Sequence, residues 1–210
     1  LPTEISFAAS GYVLSSTVGA LLDTGSGLTI HIANFGQTAT ITTPFTGTGL
    51  VTLTGSGTLT VAGTDIGSVV PVVVASSAGL VVTGTWGGLI ASAGNFTSSG
   101  TLLDTFSNSG VATLSGTAAG IDTSGSTTIA AAGLTLSGQN VANDTGGTAA
   151  TASFTLDGNL GGVGTFTNLG DSLGGLAQLT VNSGTTLNAV SLANGENGYI
   201  TNFGTITANL

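Results

Sequence analysis

Few residues in this chain could do acid–base or nucleophilic chemistry. The sequence has one His, His31, and no Lys, Arg or Cys, so a Ser-His-Asp triad would have to use His31. In Thr29–Ala33 the histidine alternates with Ile30 and Ile32, and no Gly-x-Ser-x-Gly turn is present to expose a nucleophile. We therefore expect His31 to lie on the outer face of a strand, towards solvent or a partner.

The acidic residues are the other candidates for catalysis. Paired carboxylates can hydrolyse glycosides, but the two that lie closest in the sequence are Asp144 and Asp157. Aromatic residues that could hold a sugar are also scarce, since the chain has one Trp and two Tyr. The sequence therefore predicts that the protein is not an enzyme.

Two polar clusters contain the oxygen ligands that Ca²⁺ prefers. They are Asn143 with Asp144, and Glu196 with Asn197. The segment Gly161–Phe166 begins like the calcium-binding repeat G-G-x-G-x-D, but Phe occupies the Asp position. Hydrogen-bonded turns explain the same residues without a metal. We expect no cofactor, and Ca²⁺ is the one metal that these clusters would suit.

Composition excludes several classes of partner. With no Lys or Arg and a formal charge of −9, the chain lacks the cations that bind nucleic acid or anionic membrane surfaces. The longest apolar run, 69–75, is too short for a spanning helix, which needs about 20 residues. Apolar residues make up 40% of the sequence, which is enough to form an ordered core.

The elements that must position these residues are predicted to be strands. Apolar residues alternate with Thr or Ser in many short segments, which is the period of half-buried strands. Gly-containing turns such as Ser137-Gly138 and Ser183-Gly184 separate the segments, and no stretch favours a long helix. The sequence therefore predicts an all-β protein.

A recurring motif favours a β-solenoid with irregular rungs over a β-sandwich or jelly roll. An aromatic residue or Ile is followed two positions later by Asn or Ser and four positions later by Gly, as in Phe96–Gly100, Phe106–Gly110 and Phe166–Gly170. We expect the aromatic side chain to point inward, and the Asn to occupy a tight corner in the left-handed conformation. The prediction is one solenoid domain over residues 1–210, with 1–14 and 199–210 as inter-subunit end strands.

The later repeats resemble those of a known class of protein. Phe166-Thr-Asn-Leu-Gly170, Leu179–Leu187 and Tyr199–Ala208 are similar to the strand repeats of secreted bacterial β-helix proteins, namely autotransporter passenger domains and filamentous-haemagglutinin-like adhesins. The resemblance covers about residues 95–210. It implies a right-handed β-helix displayed outside a bacterium, for adhesion or surface architecture.

Function is predicted from the surface and the ends. Neither end resembles a polar cap, and Lys, which blocks the edges of many natural sheets, is absent. We expect a secreted structural protein, freed of its signal peptide, that forms a filament or surface layer by binding copies of itself. The apolar anchors are predicted to be Phe7, Tyr12, Tyr199, Ile200 and Phe203.

Two alternatives remain open at this stage. One is a monomeric adhesin or passenger stalk that binds a host or surface ligand. The other is an ice-binding protein, because Thr38–Thr42 and Leu50–Thr60 contain Thr-x-Thr pairs. A regular threonine ladder would need a fixed repeat period, and the sequence does not show one.

Overall fold

The protein is all-β, as the sequence predicts. A computed structural model describes residues 3–16, 19–63, 69–147 and 149–209, and these ranges contain strands and turns but no helix. No helix in these ranges is long and apolar enough to cross a membrane. The chain divides into two compact units, Leu1–Asp104 (unit 1) and Thr105–Leu210 (unit 2). Whether residues 1–210 behave as a single domain stays a prediction.

Unit 1 is built from short strands joined by tight turns. The strands of this unit are β1 (Glu4–Phe7), β2 (Tyr12–Leu14), β3 (Leu22–Asp23), β4 (Leu28–Ile32), β5 (Thr38–Ile41), β6 (Phe45–Thr46), β7 (Val51–Gly55), β8 (Thr58–Val61), β9 (Val72–Val74), β10 (Gly79–Val82), β11 (Thr85–Trp86), β12 (Ile90–Ser92) and β13 (Asn95–Ser98), with the start of β14 (Thr101–Asn108).

The strands of unit 1 pair in parallel ladders. One ladder runs β1–β4–β7–β9–β12, and another runs β2–β5–β8–β10–β13. Two short parallel pairs, β3–β6 and β11–β14, form a third group. Two parallel partners must be joined by a segment that brings the chain back to the start of the next strand. Here that segment contains a strand of another ladder. This arrangement differs from the antiparallel sheets of the sandwich alternative.

Period-two alternation builds the core of unit 1. Ile30, Leu53 and Val74 occupy one inward row and are fully buried. Trp86 packs edge-on against Phe45, with ring centroids 5.1 Å apart, and its Nε1 donates a hydrogen bond to the Val70 carbonyl at 3.0 Å. The one polar atom of this large buried side chain is therefore satisfied.

Unit 2 contains longer strands. After the end of β14 these are β15 (Val111–Thr123), β16 (Ser126–Leu136), β17 (Val141–Asp144), β18 (Thr151–Leu156), β19 (Leu160–Leu169), β20 (Leu176–Val181), β21 (Thr186–Asn194), β22 (Gly198–Asn202) and β23 (Thr205–Asn209).

Three parallel ladders organise unit 2. They run β15–β16–β18–β20–β22, then β15–β16–β19–β21–β23, and finally β15–β17–β19–β21. A long strand joins more than one ladder because it bends at glycine. Gly116 and Gly162 have φ of 89° and 68°, and a Cβ on Gly162 would lie 2.0 Å from the Leu136 carbonyl oxygen. Only glycine meets both requirements at Gly162.

The core of unit 2 is centred on two phenylalanines. Phe154 and Phe166 are both fully buried, and their rings meet edge to face with centroids 5.1 Å apart. Such pairs contribute about 0.5–1.5 kcal/mol beyond the area that they bury.

We expect Phe154→Ala to lower the free energy of unfolding by about 3–5 kcal/mol, because it removes a buried ring and leaves a cavity. Chemical denaturation followed by circular dichroism would measure the change. Leu173→Ala is the control, since Leu173 is 69% exposed and its truncation should shift the free energy by less than about 0.5 kcal/mol. Equal losses in the two variants would contradict this description of the core.

Candidate functional site

The structure places the single histidine on an outer strand face. His31 alternates with the buried Ile30 and Ile32, and its Nδ1 lies 3.0 Å from Thr54 Oγ1 in the next strand of the ladder. Among the described residues, no three His, Asp, Glu or Cys side chains gather into a group that could hold a metal. A cleft lined by Gly138, Gly162–Gly164 and Asn188–Val190 contains no acid or base.

The residues considered for calcium have different roles in the structure. Asn143 is fully buried, whereas the next residue, Asp144, is partly exposed and its Oδ1 accepts a hydrogen bond from the Gly146 amide at 2.9 Å. Because neighbours on a strand face opposite sides, Asn143 and Asp144 do not converge on one point. Glu196 is exposed, and Asn197 Nδ2 donates to the Asp171 carbonyl oxygen at 2.7 Å.

Asp171 organises the turn between β19 and β20. Its Oδ2 accepts a hydrogen bond from Thr145 Oγ1 at 2.8 Å, and its Oδ1 accepts bonds from the amides of Leu173 and Gly175. The Thr145 hydroxyl, followed by the two backbone amides, holds the pKa of the Asp171 carboxyl below its usual value, although partial desolvation acts in the opposite direction. The contacts are those of a structural turn.

A row of asparagines, two fully buried and the last one exposed, is a regular polar feature of unit 2. Thr123, Asn143, Asn168 and Asn194 are in register on neighbouring strands. Asn143 Nδ2 donates to Asn168 Oδ1, and Asn168 Nδ2 donates to Asn194 Oδ1, each at 2.7 Å. We call Asn143, Asn168 and Asn194 the asparagine ladder.

The asparagine ladder also binds the main chain. Asn143 Nδ2 donates to the Gln178 carbonyl at 3.0 Å, and Asn168 Nδ2 donates to the Tyr199 carbonyl at 3.2 Å. Asn108, on β14, donates in the same way to the Ser126 carbonyl at 3.0 Å. These bonds hold carbonyl groups near the starts of β16, β20 and β22.

The prediction that the motif asparagines take left-handed corners is wrong. Asn108 and Asn168 lie within β14 and β19 and point inward, as do Phe106 and Phe166 two residues before them. Among the described residues, Asn197 is the one non-glycine residue with a positive φ, 49°. The two-residue period of a strand explains why these asparagines point inward. Residues i and i+2 share a face, so each asparagine lies on the same side as the phenylalanine two residues before it.

At the N-terminal end of unit 1, the structure brings two predicted anchors together. The rings of Phe7 and Tyr12 have centroids 6.0 Å apart, and Tyr12 is 53% exposed although its register partner Ala39 is buried. Ile5, half-buried, ends the row that contains Ile30. The first strands of the two ladders, β1 and β2, therefore carry apolar side chains that the rest of the unit covers only in part.

The C-terminal end of unit 2 is similarly open. Ile200 on β22 is paired with the buried Leu179, and Ile206 on β23 is paired with the buried Leu187, but both isoleucines are themselves partly exposed. Tyr199 belongs to the outer face, since it pairs with the exposed Gln178, and Phe203 follows β22 and is 68% exposed. Ile5 and Ile206 are end residues that the sequence analysis missed, although each continues a period-two pattern.

Comparison with known proteins gives no relative. No protein-family model matches the chain, no curated protein matches it, and no solved structure matches it.

We expect the pKa of the Asp171 carboxyl to lie below the usual value for an aspartate, and Thr145→Val to move it upward by removing the hydroxyl donor. Since the folded-state pKa is lowered, the stability contributed by this carboxylate is present above its unfolded-state pKa and is lost as pH falls through the folded-state pKa. Carbonyl ¹³C NMR across an acid titration would measure the pKa. Thr135→Val, at an exposed position of β16, should leave it unchanged.

Asn168→Ala should lower the free energy of unfolding by about 2–4 kcal/mol, because it removes the acceptor of one bond from the buried Asn143 amide and the donor of the bonds to the Ala177 and Tyr199 carbonyls. Denaturant unfolding would measure this effect. The matched variant Asn188→Ala removes an exposed amide from β21 and should change stability by less than about 0.5 kcal/mol. A small effect of Asn168→Ala would show that the asparagine ladder is dispensable.

Proposed function

We propose that the chain is a structural subunit that polymerises with copies of itself, end to end, and that its units are right-handed β-solenoids with irregular rungs. The order of the strands supports the solenoid. In unit 1 the chain passes from the first ladder at β7 to the second at β8, returns to the first at β9 and moves to the second at β10. Chains that visit parallel ladders in turn build coils that stack on one another.

The observation that carries the assembly proposal is the open C-terminal end of unit 2. The inward rows are fully buried as far as Leu179 and Leu187, and then finish at the partly exposed Ile200 and Ile206. Within the described residues, β22 pairs with β20 and β23 pairs with β21, each in one parallel register. Unpaired edge strands are templates for further strand pairing.

The N-terminal end of unit 1 offers the complementary surface. Strands β1 and β2 begin their ladders, and their apolar residues are the buried Phe7, the half-buried Ile5 and the exposed Tyr12. The free edge of β1 and β2 in one copy can accept the free edge of β22 and β23 in another by strand addition. This head-to-tail contact joins two different surfaces, and repetition of such a contact gives an open filament.

The charge of the chain favours the same contact. With no Lys or Arg, neither end has the cationic side chains that natural sheets use against edge-to-edge pairing. Of the end strands, only β1 carries a charged residue, Glu4. The resemblance to secreted bacterial β-helix proteins supports an extracellular or cell-surface location for the filament, and a role without catalysis.

Two single substitutions test the contact from its two sides. We expect Ile200→Lys to place a charge in the C-terminal contact and Tyr12→Lys to place one in the N-terminal contact. Each variant should form monomers where the native chain forms filaments, as seen by negative-stain electron microscopy over a concentration series. Val190→Lys adds the same charge at a position of β21 that is 68% exposed, and should still polymerise.

A mixture of the two variants distinguishes head-to-tail assembly from other modes. Each variant retains one intact end, so an equimolar mixture should give discrete heterodimers by sedimentation velocity and no filaments. Circular dichroism spectra that match the native chain would establish that both variants are folded. A native chain that stays monomeric at every concentration would overturn the proposal and leave the monomeric adhesin as the alternative.

A further inference from the structure

Unit 2 contains a row of five threonines that are unevenly spaced in the sequence. Thr113, Thr128, Thr155, Thr180 and Thr201 pair directly with one another across β15, β16, β18, β20 and β22. They are 15, 27, 25 and 21 residues apart in the chain, but each is in register with the next. We call this row the threonine ladder.

The threonine ladder faces outward. Each threonine of the row lies between two inward-facing neighbours, as Thr155 lies between the fully buried Phe154 and Leu156. The side chains are partly exposed from Thr113 to Thr180, and Thr201 is exposed. Among the described residues, none of the five hydroxyls forms a hydrogen bond. The row is therefore a regular array of hydroxyl groups with free donors and acceptors.

Some outward polar side chains of unit 2 have hydrogen-bond partners, unlike the threonine ladder. Thr165 Oγ1 and Ser191 Oγ lie 3.0 Å apart, and Asn182 Nδ2 donates to Asp157 Oδ1 at 2.6 Å. In the described part of the unit, unpartnered hydroxyls also occur at other outward positions, such as Ser153 and Thr135. The threonine ladder differs from them because all five of its strands carry such a hydroxyl in one register.

The spacing and rigidity of the row restrict what it can bind. Neighbouring strands lie about 4.7–4.9 Å apart, and the threonine hydroxyls repeat with that period. Threonine has a stiff χ1, so the array loses little side-chain entropy when it binds. The asparagine ladder adds rigidity, because it holds the carbonyls of Gln178 and Tyr199, two residues before Thr180 and Thr201.

The chemistry of the neighbouring row restricts the ligand further. Beside the threonines runs a second outward row made of Val111, Ser126, Ser153, Gln178 and Tyr199. No charged residue lies in either row, so the surface fits an uncharged ligand. One aromatic residue, Tyr199, stands at its end, whereas a sugar polymer would require a platform of aromatic side chains along the row.

We propose that the threonine ladder binds the surface of ice. An ice crystal is an uncharged lattice of hydrogen-bond donors and acceptors, and the oxygen repeat along one of its axes is close to the interstrand spacing. Each hydroxyl replaces or anchors one lattice water, while the threonine methyl groups lie against the water between them. The inference does not depend on polymerisation, because all five threonines belong to a single chain.

The test is partition of the full chain into a growing ice hemisphere, together with thermal hysteresis. We expect the native chain to enter the ice and to depress the freezing point. Thr155→Lys interrupts the middle of the row and should reduce partition by about tenfold or more, the effect of about 1.4 kcal/mol of lost affinity. Thr135→Lys adds the same charge at an exposed threonine on a different ladder and should bind like the native chain.

Circular dichroism and thermal melting would confirm that both variants are folded. A second variant, Thr128→Val, keeps the shape of the side chain and removes one hydroxyl, so a smaller loss than that of Thr155→Lys is expected. Exclusion of the folded native chain from ice would overturn the proposal, as would equal losses in Thr155→Lys and Thr135→Lys. Exclusion from ice with binding to microcrystalline cellulose or chitin would assign the row to a polysaccharide instead.

Discussion

Parallel main-chain pairing is the interaction on which the rest of the structure depends. The chain has no Lys or Arg, so no side-chain ion pair with a fixed cation can fasten one strand to another. The strands are held by the ladders themselves, by inward rows such as that of Phe154 and Leu179, and by the asparagine ladder. All three depend on one register, because a shift by a single residue would turn every inward side chain outward. The register is therefore the constraint that places both the core and the outer rows.

The same pairing accounts for both proposed activities. The last described strands of the ladders present a backbone edge and partly exposed members of the inward rows, Ile200 and Ile206. A ladder in strict register also places the outward residues of successive strands side by side. The row from Thr113 to Thr201 arises in this way. The ends and the faces of one architecture thus have different chemistry, apolar at the ends and hydroxylated on one face. Neither of the two proposed activities requires a catalytic group.

Period two allowed much of the fold to be predicted from the sequence. Alternation at Leu28–Ile32 and at Thr58–Val61 indicates strands, and both are strands. The register could not be predicted, because the turns differ in length and the repeat period that would align Thr128 with Thr155 is absent from the sequence. The role of Asn168 was also missed, since polarity suggested a corner and only the neighbouring strands supply its partners. Phe7 and Tyr12 were predicted as anchors because they are apolar residues of a terminal segment, and their rings lie close together. The outward position of Tyr199 was recognisable only from its register with Gln178.

The unequal spacing of the threonine ladder has an evolutionary consequence. Thr113 and Thr128 are joined by a short path, and Thr128 and Thr155 by a path almost twice as long, but both pairs meet in the same register. Loop closure becomes only slowly more costly as a loop grows, so residues added at a corner cost little while the paired segments stay in place. Insertions and deletions can therefore accumulate at the corners of such a chain without disturbing its outer rows. Sequence length and sequence identity would then diverge quickly among descendants that keep the same surface.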